Sequence, residues 1–355
     1  MARKILWASL FTLPAASLIA HYVLDVGTVA DFVLAALALL PLAWVIGEAT
    51  EHAAEHTGPG IGGFLNASFG NAPELIIALI AVADGLPNVV RGTITGSIVS
   101  NLLLVLGIAL VVGRGTAPAR HVDRHSLLVQ LGLVLVAVFL FLGPSGADRF
   151  GSPTRDTLVA ASVLVAVILI AVYFALTRRG LKRHHQLHVE SGYVANSDWT
   201  LRSSLVVLGA ATVVTALVSE IMVHSLVGFA DTVGLSTFFT SAVIVAIVGN
   251  AAEHGGAVVI AWRGKYRLPT EIAVSSAAQV GLLVTPLVVL LSLIVRPPLA
   301  LVFRPVELAT MAGAAVLVLF VVKDERVRRW EGFLLLAGYV VAAALYWHAG
   351  DLLPA

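Results

Sequence analysis

Apolar residues run in long blocks over almost the whole chain, separated by short polar or charged connectors, with no sustained apolar/polar alternation. Blocks of about 20 residues cross the roughly 30 Å hydrocarbon layer as helices rising about 1.5 Å per residue. A transmembrane barrel would show segments of about ten strictly alternating residues instead. The pattern predicts an all-α integral membrane protein with helices near 5–24, 29–56, 61–83, 88–113, 125–143, 156–177, 201–224, 236–262, 268–294, 299–322 and 329–348. That is eleven crossings: a leading helix (1–28), five helices (29–177), a connector (178–200) and five more (201–355). Met1 to Ala20 also fits a signal peptide, because Arg3 and Lys4 precede an apolar run, and its removal would leave the other ten helices as they are.

Composition sharpens this picture. Of 355 residues, 59% are hydrophobic and 12% charged, about half the charge usual in a soluble domain. Positive residues gather on one side: Arg3 and Lys4; Arg114, Arg120 and Arg124; Arg178, Arg179, Lys182, Arg183 and Arg202; Arg263, Lys265 and Arg267; Lys323, Arg326, Arg328 and Arg329. The opposite side holds only Arg91, Arg149, Arg155, Arg296 and Arg304. Because basic loops stay in the cytoplasm, the N-terminus is expected inside, and with no evident organelle-targeting segment the expected location is a prokaryotic plasma membrane. A net charge of +1, with no basic patch studded by aromatics, argues against a nucleic-acid partner. The chain has no cysteine, so thiolate metal sites are excluded.

Two segments echo each other. Gly70-Asn71-Ala72-Pro73-Glu74 in the third expected helix recurs as Gly249-Asn250-Ala251-Ala252-Glu253 in the eighth. At the same offset, Gly96-Ser97-Ile98-Val99-Ser100 is answered by Ser275-Ser276-Ala277-Ala278-Gln279, and upstream Thr50-Glu51 is answered by Ser219-Glu220. Helices five crossings apart run in opposite directions, so the repeat is inverted, an architecture that sets a transport site near the midplane of two rocking halves.

A carboxylate in mid-membrane costs several kcal/mol, about 2.5 to 3.5 on insertion scales, and two at equivalent positions imply a purpose. Asn and Glu three residues apart share a helix face, so Asn71, Glu74, Asn250 and Glu253 would line one cavity, with Ser97, Ser100, Ser276 and Gln279 adding oxygens. Such oxygens suit hard divalent cations, Ca²⁺ first. Gly70, Pro73 and Gly249 predict interrupted helices at the site, where freed carbonyls also bind cations. Cations and protons would compete for Glu74 and Glu253. Glu51, Glu220 and His254 are read as gating or proton-relay groups.

At these residues the chain resembles the Ca²⁺/cation:proton exchangers of the cation/Ca²⁺ exchanger superfamily. The resemblance rests on Thr50-Glu51, Gly62 through Ile76, Gly96 through Gly107, Gly249 through His254 and Ser275 through Gln279, in the family's order and spacing. It implies one leading helix plus two inverted five-helix repeats, exchange of Ca²⁺ for H⁺ across a lipid bilayer without a cofactor, Glu74 and Glu253 as ion ligands, and Glu51 and Glu220 as the acidic residues beside them. Pro73 stands where the family usually has Thr. The basic 178–200 connector, with His184, His185 and His188, replaces an acidic stretch common in relatives.

Three other readings compete. Within the superfamily, Na⁺ could drive exchange, or Mn²⁺ or Na⁺ could be preferred. A channel would use the same acids as a selectivity ring, but a paired inverted site fits alternating access better. The enzyme alternative is a membrane zinc hydrolase using His52-Ala53-Ala54-Glu55-His56, an H-x-x-E-H pattern; no acidic third ligand stands out downstream and the repeat would go unexplained, so the chain is read as a transporter rather than an enzyme.

Overall fold

A computed structural model describes residues 12–114, 122–151, 153–189 and 199–351. The side chains at 58–64, 66–67, 177–189 and 252 lie outside the description. So do residues 5–11 of the first expected helix and, as side chains, the connector's His184, His185 and His188.

Among the described residues the structure is helical, with no β-strand. We number α1 Thr12–Leu24, α2 Thr28–Gly70, α3 Ala72–Ala83, α4 Pro87–Val112, α5 Arg124–Phe150, α6 Arg155–Val189, α7 Leu201–Val233, α8 Thr237–Gly249, α9 Ala251–Trp262, α10 Arg267–Val295, α11 Pro305–Val321 and α12 Arg329–Ala349. Seven of these hold stretches long and apolar enough to cross a membrane, α8 with α9 forms an eighth as a bent pair, and α1, α3 and α11 are shorter apolar helices. Large apolar side chains face outward, among them Phe139, Phe150 and Ile294. In water such a surface would be unstable, and in lipid it is the expected one.

Helical hydrogen bonding is unbroken from Thr28 to Gly70 where two helices were expected. The segment nevertheless reverses. Phe69 packs on the cluster of Ile46, Ala49, Leu208 and Ala211, whereas a straight helix would carry it about 30 Å beyond Ala49. Between these contacts the sequence reads Gly58-Pro59-Gly60, the residue types at which helices bend sharply. The structure thus joins the expected helix 29–56 to the first part of the expected helix 61–83 and breaks the latter at Asn71.

The first arm of α2 lies antiparallel on α7. Phe32 stacks on Phe229 at 4.2 Å at one end, and His52 stacks on Trp199 at 4.8 Å at the other. α4 runs through the centre, with 83% of its apolar window buried against 22% for α6 at the rim. Glycine allows the central crossing. A Cβ on Gly92 would stand 2.7 Å from Ser241 Cβ, and one on Gly96 would run into the Ala242 backbone. α4 and α8 thus touch backbone to backbone through a small-residue Gly-x-x-x-Gly face.

Between α10 and α11 the chain is irregular and partly buried, with Leu299, Leu301 and Phe303 inside, a costly state for unpaired amides. Serine side chains on neighbouring helices accept its N–H groups: Leu299 donates to Ser292 (2.9 Å), Leu301 to Ser162 (2.8 Å) and Phe303 to Ser145 (2.9 Å).

Candidate cation site

Both echoing segments are helix breaks. Asn71 has φ −99° and ψ 17°, Asn250 has φ −91° and ψ 12°, and a new helix starts immediately after each. α8 and the body of α9 are bent by 61° at the second break. At each break a preceding helix ends, exposing its last carbonyls and the negative end of its dipole, while Glu74 or Glu253 stands in the first turn of the next. Pro73 lies in that first turn, where its missing N–H has no intrahelical partner to lose.

The two carboxylates cross reciprocally. A Cβ on Gly249 would lie 3.5 Å from Glu74 Cγ, and a Cβ on Gly70 would lie 3.6 Å from Glu253 Oε1. Each glycine thus leaves the room that the opposite glutamate occupies, and the two charges are close enough to act on one another. Glu74 is 2% exposed and Glu253 half-buried. Each has its Oε2 buried with no hydrogen-bond donor.

Amides and hydroxyls join the breaks to α4 and α10. Asn71 Nδ2 donates to Gln279 Oε1 at 2.8 Å. Asn250 Nδ2 donates to Ser97 Oγ at 2.9 Å and to the Ala246 carbonyl at 2.9 Å. Asn101 Nδ2 donates to Asn250 Oδ1 at 3.1 Å and to Ser276 Oγ at 3.0 Å. Of the eight residues expected to line the site, seven meet here. Ser100 turns back onto its own helix, donating to the Ser97 carbonyl at 3.4 Å.

Asn101 is the member that sequence reading missed. It is fully buried and has an Oδ1 with no donor. Its signal was available, since it follows Ser97 by four residues and so shares its face. Local geometry helps to bring it inward: α4 widens into a π-helical stretch at Ser100–Val105, and α10 does the same at Val280–Val284, directly after Gln279. Such wide turns recur at functional sites.

The residues expected to gate the site or relay protons lie outside its described hydrogen bonds. Glu51 and Glu220 lie on exposed faces of α2 and α7, and among the described hydrogen bonds neither joins the cluster. His254 follows Glu253 and is half-buried, with an Nε2 that has no hydrogen-bond partner. The H-x-x-E-H residues are engaged differently from a metal triad: His56 Nε2 bonds the Trp199 carbonyl at 2.6 Å, His52 stacks on the Trp199 ring, and His52 Nε2 is 3.6 Å from Glu48. Among the described residues no three His, Asp or Glu side chains form a metal-binding group. The acidic part of the central site is two carboxylates, and its other oxygens come from amides, hydroxyls and main chain.

The family profile described as sodium/calcium exchanger protein matches residues 28–179 and 203–347. The chain belongs to that family. Similar curated relatives include a Ca²⁺/H⁺ antiporter of Aphanothece halophytica, 37% identical over 350 residues and 94% of each chain. Another is the Ca²⁺/H⁺ antiporter ChaA of Bacillus subtilis, 35% identical over 317 residues, 88% of this chain and 90% of that one. Among solved structures, native YfkE superposes with a TM-score of 0.83 at 31% identity, covering 97% of this chain and 99% of its own. The motif resemblance to Ca²⁺/cation:proton exchangers is thereby borne out for family and fold.

Proposed function

We propose that this protein exchanges Ca²⁺ for H⁺ across a membrane, and that Glu74 and Glu253 form the shared site. The observation that carries the proposal is the pair of reciprocally packed carboxylates, each with a buried oxygen that no donor satisfies. A buried charged acceptor without a partner is costly, and either a divalent cation or protons remove that cost. Because both ligands use the same oxygens, occupancy by one excludes the other, and this competition is the coupling. Asn71, Asn250, Ser97, Ser276 and Gln279 complete an oxygen-rich first shell of the kind Ca²⁺ takes in tolerant geometry. Asn101 holds Asn250 and Ser276 in place.

Alternating access then requires that the site change sides only when filled or neutralised. Eleven crossings, with α1 leading and α2–α6 inverted relative to α7–α12, would give the two halves this freedom, and the distribution of basic connectors supports an N-terminus in the cytoplasm. Ca²⁺/H⁺ exchange is favoured over Na⁺-driven exchange because the relatives matching most of the chain's length carry the former name.

The test is Ca²⁺ uptake by everted vesicles or proteoliposomes under an imposed pH gradient without Na⁺. Uptake should dissipate the gradient and disappear in Glu74→Gln and in Glu253→Gln. Uptake that needs Na⁺ would reassign the driving ion, and uptake indifferent to both substitutions would remove the site.

A further inference from the structure

α8 is the half-helix that ends at Gly249, beneath Glu74, and its other end is capped twice. The N–H groups of Thr237, Phe238 and Phe239 open this helix and have no partner within it. Ser236 takes one of them, accepting from Phe239 N at 3.0 Å. The other two go to Asp351, just past the end of α12. Its carboxylate accepts from Thr237 N at 2.9 Å, from Phe238 N at 2.7 Å and from the Thr237 hydroxyl at 2.7 Å. A local serine is enough to cap a helix. A carboxylate brought from another helix also ties the two together, through charge-assisted bonds at the positive end of the helix dipole.

The neighbouring residues hold Asp351 in that place. Gly350 has φ 61° and ψ −161°, a conformation open to glycine. Arg304, which opens α11, grips this turn: its Nη1 donates to the Gly350 carbonyl at 2.7 Å and to the Ala349 carbonyl at 3.1 Å. The same guanidinium lies 4.0 Å over the Phe238 ring and pairs with the fully buried Glu307. Phe238 also meets Tyr346 of α12 edge-on at 5.5 Å, and the Tyr346 hydroxyl donates to Thr310 of α11 at 2.7 Å. α8, α11 and α12 therefore converge on Phe238. From there α8 spans about 16 Å to Gly249, lying backbone to backbone on α4 at Gly92 and Gly96. A helix so confined moves as a unit. A shift at the clamped end thus reaches the Ala246 carbonyl that holds Asn250, and the room that Gly249 leaves for Glu74.

We propose that Asp351 is a positioning residue for the ion site: by clamping the remote end of α8 to α12, it sets where Gly249 and Asn250 stand against Glu74, and with that the affinity for Ca²⁺. The inference rests on the reading of that site as the Ca²⁺ site. Asp351 itself touches no ion.

The test uses the full chain, with equilibrium binding of radiolabelled Ca²⁺ in detergent and uptake in proteoliposomes. Asp351→Ala should raise half-saturating Ca²⁺ by roughly fivefold or more while maximal uptake stays within twofold, the pattern of lost binding rather than lost turnover. Thr237→Val, which removes one of the three bonds, should shift affinity in the same direction by less. Asp156→Ala takes an acid from the first turn of α6 at the rim and should change neither quantity. Backbone hydrogen exchange without Ca²⁺ follows the clamp directly: in Asp351→Ala it should quicken at residues 237–240 and also at 246–250, next to the break. Unchanged half-saturation in a folded Asp351→Ala protein, or in Thr237→Val where the first variant does not fold, overturns the proposal. So does quickened hydrogen exchange confined to 237–240, because the cap is then only local. A wild type that binds Ca²⁺ but does not exchange it for H⁺ would defeat the coupling reading and leave this one standing. A wild type that binds no Ca²⁺ would defeat the ion-site reading, and hydrogen exchange alone would then decide whether Asp351 positions the break.

Discussion

The two halves of the site start from the same backbone and arrive at different chemistry. Asn71 and Asn250 have nearly the same dihedral angles, and each is followed by a half-helix with a glutamate in its first turn. Their partners differ. Asn250 accepts from Asn101 and donates to Ser97, whereas Asn71 donates to Gln279. At the repeat offset, Ser97, Ser100 and Asn101 correspond to Ser276, Gln279 and Val280. Each half thus supplies one amide to the opposite break, but from neighbouring rather than equivalent positions, and the sense of the hydrogen bond reverses. Backbone symmetry therefore builds the cavity, while side-chain asymmetry tunes it.

The most severe way to break the comparison is to neutralise either glutamate. Glu74→Gln and Glu253→Gln should each reduce pH-gradient-driven Ca²⁺ uptake by at least 100-fold, about 2.7 kcal/mol or more at 1.36 kcal/mol per decade. Equality matters as much as size. A large residual rate in one variant alone would mean that the halves share a shape but not a task.

A second test concerns the crossing that carries Asn101 to Asn250. Gly96 meets the α8 backbone, but its counterpart Ser275 carries a side chain bonded to its own helix at 3.1 Å. Gly96→Ala should destabilise the protein by at least the 1–3 kcal/mol typical of overpacking, seen as a lower melting temperature or loss of the monodisperse peak in detergent. Ser275→Ala should change either by little. Equal tolerance at both positions would show that α4 and α8 need no backbone contact.

Smaller effects should separate the two amides. Asn101→Ala leaves Asn250 Oδ1 and Ser276 without their donor, and a buried group so stranded costs about 1–3 kcal/mol. Expressed as affinity, this is a rise of roughly 5- to 150-fold in half-saturating Ca²⁺. Gln279→Ala removes one bond to Asn71 and should cost less. A double-mutant cycle of Asn101→Ala with Asn250→Ala should give a coupling of about 0.5–3 kcal/mol, as for residues in one network. Additive losses would place Asn101 outside the site.

Much of this arrangement was legible in the sequence. Apolar blocks marked the spans because nothing but a helix satisfies its own backbone in lipid, and the repeated Gly-Asn-Ala motif marked both breaks. Asn101 was missed because its repeat counterpart is valine, so a search for paired polar positions passes over it. Ser100 was included because its counterpart is Gln279, although in the structure its hydroxyl serves its own helix. Glu51 and Glu220 were paired by sequence, and pairing alone carries no distance from the cavity. The reversal within α2 depends on contacts such as Phe69 with the Ile46 cluster, which span tertiary structure and leave no periodicity behind.

The gentlest test bears on what causes the breaks. Proline accounts for a helix interruption when it removes a hydrogen bond within the helix, and Pro73 invites that explanation for the first half. The second half has Ala252 at the corresponding place and breaks at the same angles. Proline cannot be the common cause. What the halves share is a Gly-Asn step, with each glycine lying under the opposite glutamate and each asparagine tied to another helix. Pro73 already stands where a helix accepts proline without loss, so Pro73→Ala should move stability by less than about 0.5 kcal/mol, the range of substitutions away from special features. Ca²⁺ uptake should remain within twofold of wild type, whereas Asn71→Ala should raise half-saturating Ca²⁺ several-fold. If Pro73→Ala instead removed uptake, the first break would depend on its proline and the two halves would be alike only in outline.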